Sequence, residues 1–134
     1  DGRVWIGGQF STLHGAAAAK SDTLSADGSL DASFKRGVAA TSGGPVETGF
    51  VRAIVLQPDG RALVAGKFET YDGAPRESLA RTLSDGALDP SFAAGSITQV
   101  NALALQPMGM LVVGGSFQSV DAGARVAVAR LNSD

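Results

Sequence analysis

Short apolar stretches separated by glycine-centred turns set the rhythm of this chain. Val51 to Leu56 is apolar at most positions, Pro58-Asp59-Gly60 interrupts it, and Ala62-Leu63-Val64-Ala65 resumes it. That pattern predicts two short antiparallel strands joined by a tight turn. In the turn, Pro58 presets φ near the value its ring imposes, Asp59 can accept a hydrogen bond from the backbone ahead, and Gly60 tolerates positive φ. A third strand is predicted over Ser78 to Leu83, ended by Ser84-Asp85-Gly86. A fourth short segment, Leu88 to Phe92, closes the unit, and Pro90 confines it to an edge or strand end because proline has no N–H to donate.

The same unit recurs. Asp59-Gly60-Arg61-Ala62-Leu63-Val64-Ala65-Gly66-Lys67-Phe68 aligns with residues 1–10 at an offset of 58, and with Met108 to Phe117 at an offset of 49. Asp27-Gly28-Ser29-Leu30-Asp31-Ala32-Ser33-Phe34 matches Asp85 to Phe92, and Val51 to Pro58 matches Val100 to Pro107. The copies run over about 1–50, 51–99 and 100–134, and nine extra residues enlarge a loop at 35–50 that is rich in Gly, Ala, Ser and Thr. The third-strand equivalents are Val126 to Leu131 and the more polar Ala18 to Leu24. Four short strands in a unit of about 50 residues describe a β-propeller blade, so the expected fold is all-β.

Gly7-Gly8, Ala65-Gly66 and Gly114-Gly115 each follow an apolar strand, where crowding between blades near a common axis would exclude side chains. No helix follows them, which argues against a phosphate-cradling loop. Met108 replaces the turn aspartate in the third copy, so that turn is expected to survive with a weaker side-chain bond. Residue 1 aligns with Asp59 and Asp134 with Asp85, both inside turns. The chain therefore amounts to fewer than three blades, whereas a closed propeller has about four to eight. A segment of a longer repeat protein is expected, ahead of several copies closing a ring together.

Gln57-Pro58-Asp59-Gly60-Arg61, Val64-Ala65-Gly66-Lys67-Phe68, Leu131 after Ala129-Arg130, and Asp85-Gly86-Ala87-Leu88-Asp89-Pro90-Ser91-Phe92 together resemble the bacterial delta-60 repeat, a β-propeller repeat of unassigned function. The resemblance covers nearly the whole chain, with Thr23 in place of Arg81, Met108 in place of Asp59 and the long 35–50 loop as departures. It implies a secreted or surface bacterial protein and carries no chemistry with it.

Composition narrows the function classes. Eleven basic against thirteen acidic residues give a net charge of −2, so no basic field is available for nucleic acid. The absence of cysteine excludes disulfides and thiolate metal sites, and a single histidine, His14, leaves no pair of imidazoles for a metal. No apolar run approaches the ~20 residues of a membrane span, and a soluble chain is expected. Asp27 with Asp31, and Asp85 with Asp89, form carboxylate pairs that raise calcium binding or glycoside hydrolysis. Because the pairs recur with the repeat, turn and capping roles are favoured for them.

His14 reads as a solvated loop residue and Trp5, at the position of Leu63 and Val112, as packing ahead of a sugar platform. Phe10, Phe34, Phe68, Phe92 and Phe117 recur and read as core, while Tyr71, Asp72, Arg76 and Glu77 lie in a variable loop able to form a binding rim. No catalytic residue, metal ligand or cofactor is assigned. The reading is a non-catalytic structural or recognition module, an adhesion or assembly scaffold whose partners are further blades of the same polypeptide or copies of the chain, with a surface glycan or protein beyond them. A carbohydrate-binding propeller, a self-assembling extracellular fibre subunit, and a propeller enzyme with its residues partly elsewhere are the alternatives.

Overall fold

The computed structural model describes residues 2–10, 12–17, 20–34, 49–117, 119–120, 123–124 and 127–132. The enlarged loop falls almost entirely outside them. In chain order the strands are β1 (Val4–Gly7), β2 (Thr12–Leu13), β3 (Ala16–Ala17), β4 (Ser21–Leu24), β5 (Phe50–Leu56), β6 (Ala62–Lys67), β7 (Thr70–Tyr71), β8 (Ala74–Pro75), β9 (Leu79–Thr82), β10 (Gln99–Leu105), β11 (Leu111–Ser116), β12 (Ser119–Val120), β13 (Gly123–Ala124) and β14 (Val128–Leu131). The fold is all-β. Among the described residues, no helix is long and apolar enough to cross a membrane.

Each repeat builds one antiparallel sheet and one small hairpin. The middle sheet has the order β5-β6-β9 and the third the order β10-β11-β14, while the first shows β1 paired with β4. Between the second and third main strands of each lies a two-residue ladder: β2-β3, β7-β8 or β12-β13. The His14-Gly15 and Asp72-Gly73 turns of the first two ladders have positive φ at both positions, the conformation that matches strand twist in a two-residue hairpin.

The predicted hairpin over Pro58-Asp59-Gly60 is present, with Gly60 N–H donating to Gln57 O at 3.0 Å and Arg61 N–H to Asp59 Oδ1 at 3.1 Å. The third copy keeps the turn through Gly109 N–H to Gln106 O at 3.2 Å, but Met108 is driven to φ 68° and is 89% exposed.

The fourth strand of the first and middle repeats is shorter than the apolar pattern suggests. It contributes one bridge, Leu24 to Leu30 or Thr82 to Leu88, and then the chain turns. The cause is local: Asp31 and Asp89 draw the N–H of Ser33 and Ser91 onto their own carboxylates at 2.9 and 3.0 Å, and Pro90 has no N–H to extend a ladder.

The sheets stack face to face. Register places Leu63, Ala65, Leu79 and Arg81 on one side of the middle sheet, where the three apolar residues join Val100, Leu111, Val113 and Ala129 of the third repeat in one core. On the other side Val64 and Ala80 join Val51, Phe68 and Tyr71, with Trp5 of the first repeat packed against them. The middle sheet is thus covered on both faces, and burying each large aliphatic side chain contributes about 1.5–3 kcal/mol.

The glycine pairs answer to two causes where crowding near an axis was expected to be the only one. A Cβ on Gly66 or Gly115 would strike the carbonyl oxygen of Phe50 or Gln99 within the same hairpin, where the inner strand bulges at Val51/Ala53 or Val100/Ala102. At Gly7 the obstruction does come from the next blade, with Val51 Cγ1 at 2.5 Å and Ile54 Cδ1 at 2.9 Å.

Candidate functional site

The densest polar chemistry lies at the outer edge of the middle sheet. Asp89 accepts from Ser91 N–H and, at 2.6 Å, from Ser91 Oγ; its second oxygen accepts from Arg81 Nε at 2.9 Å and pairs with Arg61 Nη1 at 3.6 Å. Arg81 also donates to Ser91 Oγ at 3.2 Å, and its guanidinium lies 4.8 Å from the centre of the Phe92 ring. Both members of the Arg81–Asp89 pair are buried. Desolvation pushes the Asp89 carboxyl up, but the Ser91 and Arg81 hydrogen bonds outweigh it and hold the group below the ordinary carboxylate value.

The first repeat builds the equivalent from other parts. Asp31 is again closed by Ser33, and the partner is Arg3 at 3.1 Å, whose side chain is 37% exposed. The Ser33 hydroxyl, then its N–H, lower the Asp31 carboxyl, with Arg3 adding to the effect against desolvation. Thr23 stands where Arg81 would be. Trp5, directly across the ladder from Thr23 as Leu63 is from Arg81, fills the space with its ring edge-on to Phe34 at 4.6 Å and 85°. Asp27 accepts from Ser29 N–H and Oγ, and Asp85 from Ala87 N–H, each within its own turn. Among the described residues, no three acidic or imidazole groups gather as metal ligands do.

The variable loop is corrected in one respect. Tyr71, expected on a rim, is fully buried against Phe68 with ring centres 6.4 Å apart, because it belongs to β7 and not to the turn after it. Desolvation first, with the nearby Asp72 and Asp22 charges, raises its hydroxyl to about 12; Ser21 opposes this shift but makes no well-aligned hydrogen bond with it. Asp72 and Glu77 are exposed, and Arg76 donates to the carbonyl of Pro75 at 2.7 Å. His14 is exposed on its turn. Of the recurrent phenylalanines, Phe34, Phe68, Phe92 and Phe117 are buried and Phe10 is half-buried.

Two open clefts accompany these clusters. Trp5, Gly7, Val51, Arg52, Ala53 and Ile54 line a groove of about 210 Å³ between the first and middle sheets. Gln106, Val112, Val128, Ala129 and Arg130 line a larger one of about 450 Å³ on the third sheet. Sequence reasoning did not find the second. Its signal was present in the repeat alignment, which puts Val128 and Arg130 at the positions of Leu79 and Arg81.

Residues 57–92 and 106–134 match the profile of a family described as a domain of unknown function (DUF5122) beta-propeller. The chain is a partial β-propeller. Each matched segment of this propeller starts at the Gln of a Gln-Pro turn, Gln57 or Gln106, and the first ends on the Asp-Pro-Ser-Phe lock. No curated protein and no solved structure matches the chain.

Proposed function

We propose that this partial propeller is a non-catalytic structural and recognition module, an adhesion or assembly scaffold within a secreted or surface-located bacterial repeat protein of the delta-60 type. The observation that carries the reading is the doubly built Asp-x-Ser-Phe lock. Carboxylates that occur at the same blade position in two repeats, each closed on its own serine and on an arginine, serve the framework of the blade. The covered faces of the middle sheet extend the same logic to its neighbours, since sheets of this kind are completed by further blades.

The test joins location to assembly. Fractionation and surface proteolysis of cells making the full gene product should find it outside the cytoplasm, and cytoplasmic retention would overturn the surface role. Light scattering of the 134-residue chain across concentration separates the forms of assembly: a discrete multimer means that copies complete the ring, a monomer that further blades belong to the same polypeptide, and open-ended growth a fibre.

A carbohydrate-binding role is the second reading, favoured by the placement of Trp5 on an open groove beside Arg52. Trp5 is the only tryptophan, so its fluorescence reports directly. Saturable change on glycan titration supports this reading, and an unresponsive Trp5 removes it.

A further inference from the structure

The two joints between sheets are built at the same positions from opposite materials. Between the middle and third sheets, Leu79 of β9 shares one core with Leu131 of β14, and Arg81 is taken by Asp89. Between the first and middle sheets, the repeat alignment puts Ser21 at the position of Leu79, Thr23 at that of Arg81 and Thr82 at that of Leu131. Tyr71 stands where the third repeat has Val120. Register turns these residues toward one joint. Ser21 lies directly across the ladder from Gly7, and Thr23 from Trp5. That side of the first sheet meets the middle one, since a Cβ on Gly7 would strike Val51 and Trp5 packs against the cluster of Val64, Tyr71 and Ala80. Thr82 lies on the same side of its own sheet as Val64 and Ala80.

Ser21, Thr23, Tyr71 and Thr82 are each 0% exposed, and none of their hydroxyl oxygens has a hydrogen-bonding partner. Burying a hydroxyl unbonded is costly, but a hydroxyl rotates, donates and accepts. Hydroxyls on the two sides of one joint are therefore one another's remedy. Ser21 is already near enough to the Tyr71 phenol to oppose the upward shift of its ionisation. An apolar neighbour takes the remedy away. Leucine, as at Leu131, offers Ser21 and Thr23 nothing to bond, and Tyr71 and Thr82 set against Leu79 are stranded in the same way.

We propose that these hydroxyls form an address between blades: the face of the first blade bearing Ser21 and Thr23 accepts a blade with hydroxyls at the Tyr71 and Thr82 positions and rejects one of the third repeat's apolar type. The device answers a hazard of repeat proteins, in which similar units stack out of order or exchange between copies. Both sides of the joint lie among the described residues. The inference goes beyond the scaffold reading, because a matched joint orders blades wherever the protein resides, so its test and the fractionation fail separately.

Trp5, the only tryptophan, sits in this joint, and its emission during urea unfolding of the 134-residue chain reports separation of the first blade from the middle one. Far-UV circular dichroism follows the other sheets. Removing the hydroxyls of one side, by Ser21→Ala with Thr23→Val or by Tyr71→Phe with Thr82→Val, should favour separation about tenfold or more, because the opposite hydroxyls lose their partners. Removing all four should recover most of that loss. If a two-site variant fails to fold, Ser21→Ala, Tyr71→Phe and their double decide by the same rule. Thr82→Leu, the third repeat's residue, should also loosen Trp5, and about tenfold less in a chain that already carries Ser21→Ala and Thr23→Val. A one-sided removal that leaves the Trp5 transition unchanged or tightens it overturns the proposal. So does a four-site variant whose loss is the sum of the two sides, and so does equal loosening by Thr82→Leu in both backgrounds.

Discussion

The first and middle repeats close the same turn with different materials. Both keep the carboxylate, the serine and the phenylalanine plug. The middle repeat seals the plug with the buried guanidinium of Arg81 beneath Leu63, whereas the first uses the indole of Trp5 over the small Thr23. The exchange conserves volume across one ladder position: a large residue on the outer strand pairs with a medium one on the central strand, or a small residue with a very large one. What the comparison teaches is that the lock needs a closed turn and a covered ring, and that charge is one of two ways to cover it. A T-shaped aromatic pair is worth about 0.5–1.5 kcal/mol beyond its burial, while a buried ion pair gains little net stability but is costly to break.

The largest effect should come from breaking that charge. Arg81→Met leaves Asp89 buried with only the more distant Arg61, and should cost about 3 kcal/mol in urea unfolding, whereas Arg3→Met in the first repeat, at a partly exposed pair, should cost under about 1 kcal/mol. Equal losses at the two sites would refute the difference drawn between the repeats.

A transplant comes next. Trp5→Leu opens a void beside Phe34 and Thr23→Arg overpacks it, each destabilising by about 1–3 kcal/mol. The double variant, which rebuilds the middle repeat's arrangement, should recover at least about 1 kcal/mol over the sum of the singles. A strictly additive cycle would show that the two positions do not exchange volume.

Acid gives a smaller test. Asp89 and Asp31 have lowered carboxyl pKa values in the folded chain, so unfolding takes up protons as pH falls. Their contribution is complete above the unfolded value near ~4 and is lost as pH drops through the folded values. Melting temperature should hold from neutral pH to about 5 and decline below about 4, and Asp89→Asn should flatten the decline.

Smallest is Met108→Asn, which relieves a left-handed φ that asparagine tolerates, and should raise stability by about 0.5 kcal/mol; the same change at Asp59, outside that region of φ, should give no gain.

The blade was legible because its signals are local: the Gln-Pro-x-Gly turns, the alternation around Leu63 and Val64, and the 49-residue spacing all act within one hairpin or between adjacent strands. The bulges opposite Gly66 and Gly115 were not, since a bulge is a relation between two strands and an intact apolar run conceals it. Tyr71 was misplaced for a related reason. A two-residue ladder leaves almost no periodicity, and the polar neighbours Asp72 and Glu77 dominate the stretch. The locks were half visible: Asp and Ser two residues apart announce a capped turn, but Arg81 reaches Asp89 only after β9 folds beside it, and nothing in the linear order pairs Trp5 with Phe34.

Residues 89–97 begin at the edge of one sheet and end in the core it shares with the next, with Phe92, Ala94 and Ile97 all buried there. The heritable unit is therefore out of phase with the spatial one. A stretch of gene copied from one turn to the corresponding turn of the next repeat brings a whole joint with it, both the surface to be covered and the segment that covers it. A chain built this way can lengthen by whole joints without inventing a new contact, and each joint tolerates its own filling, Leu63 with Arg81 in one copy and Trp5 with Thr23 in another.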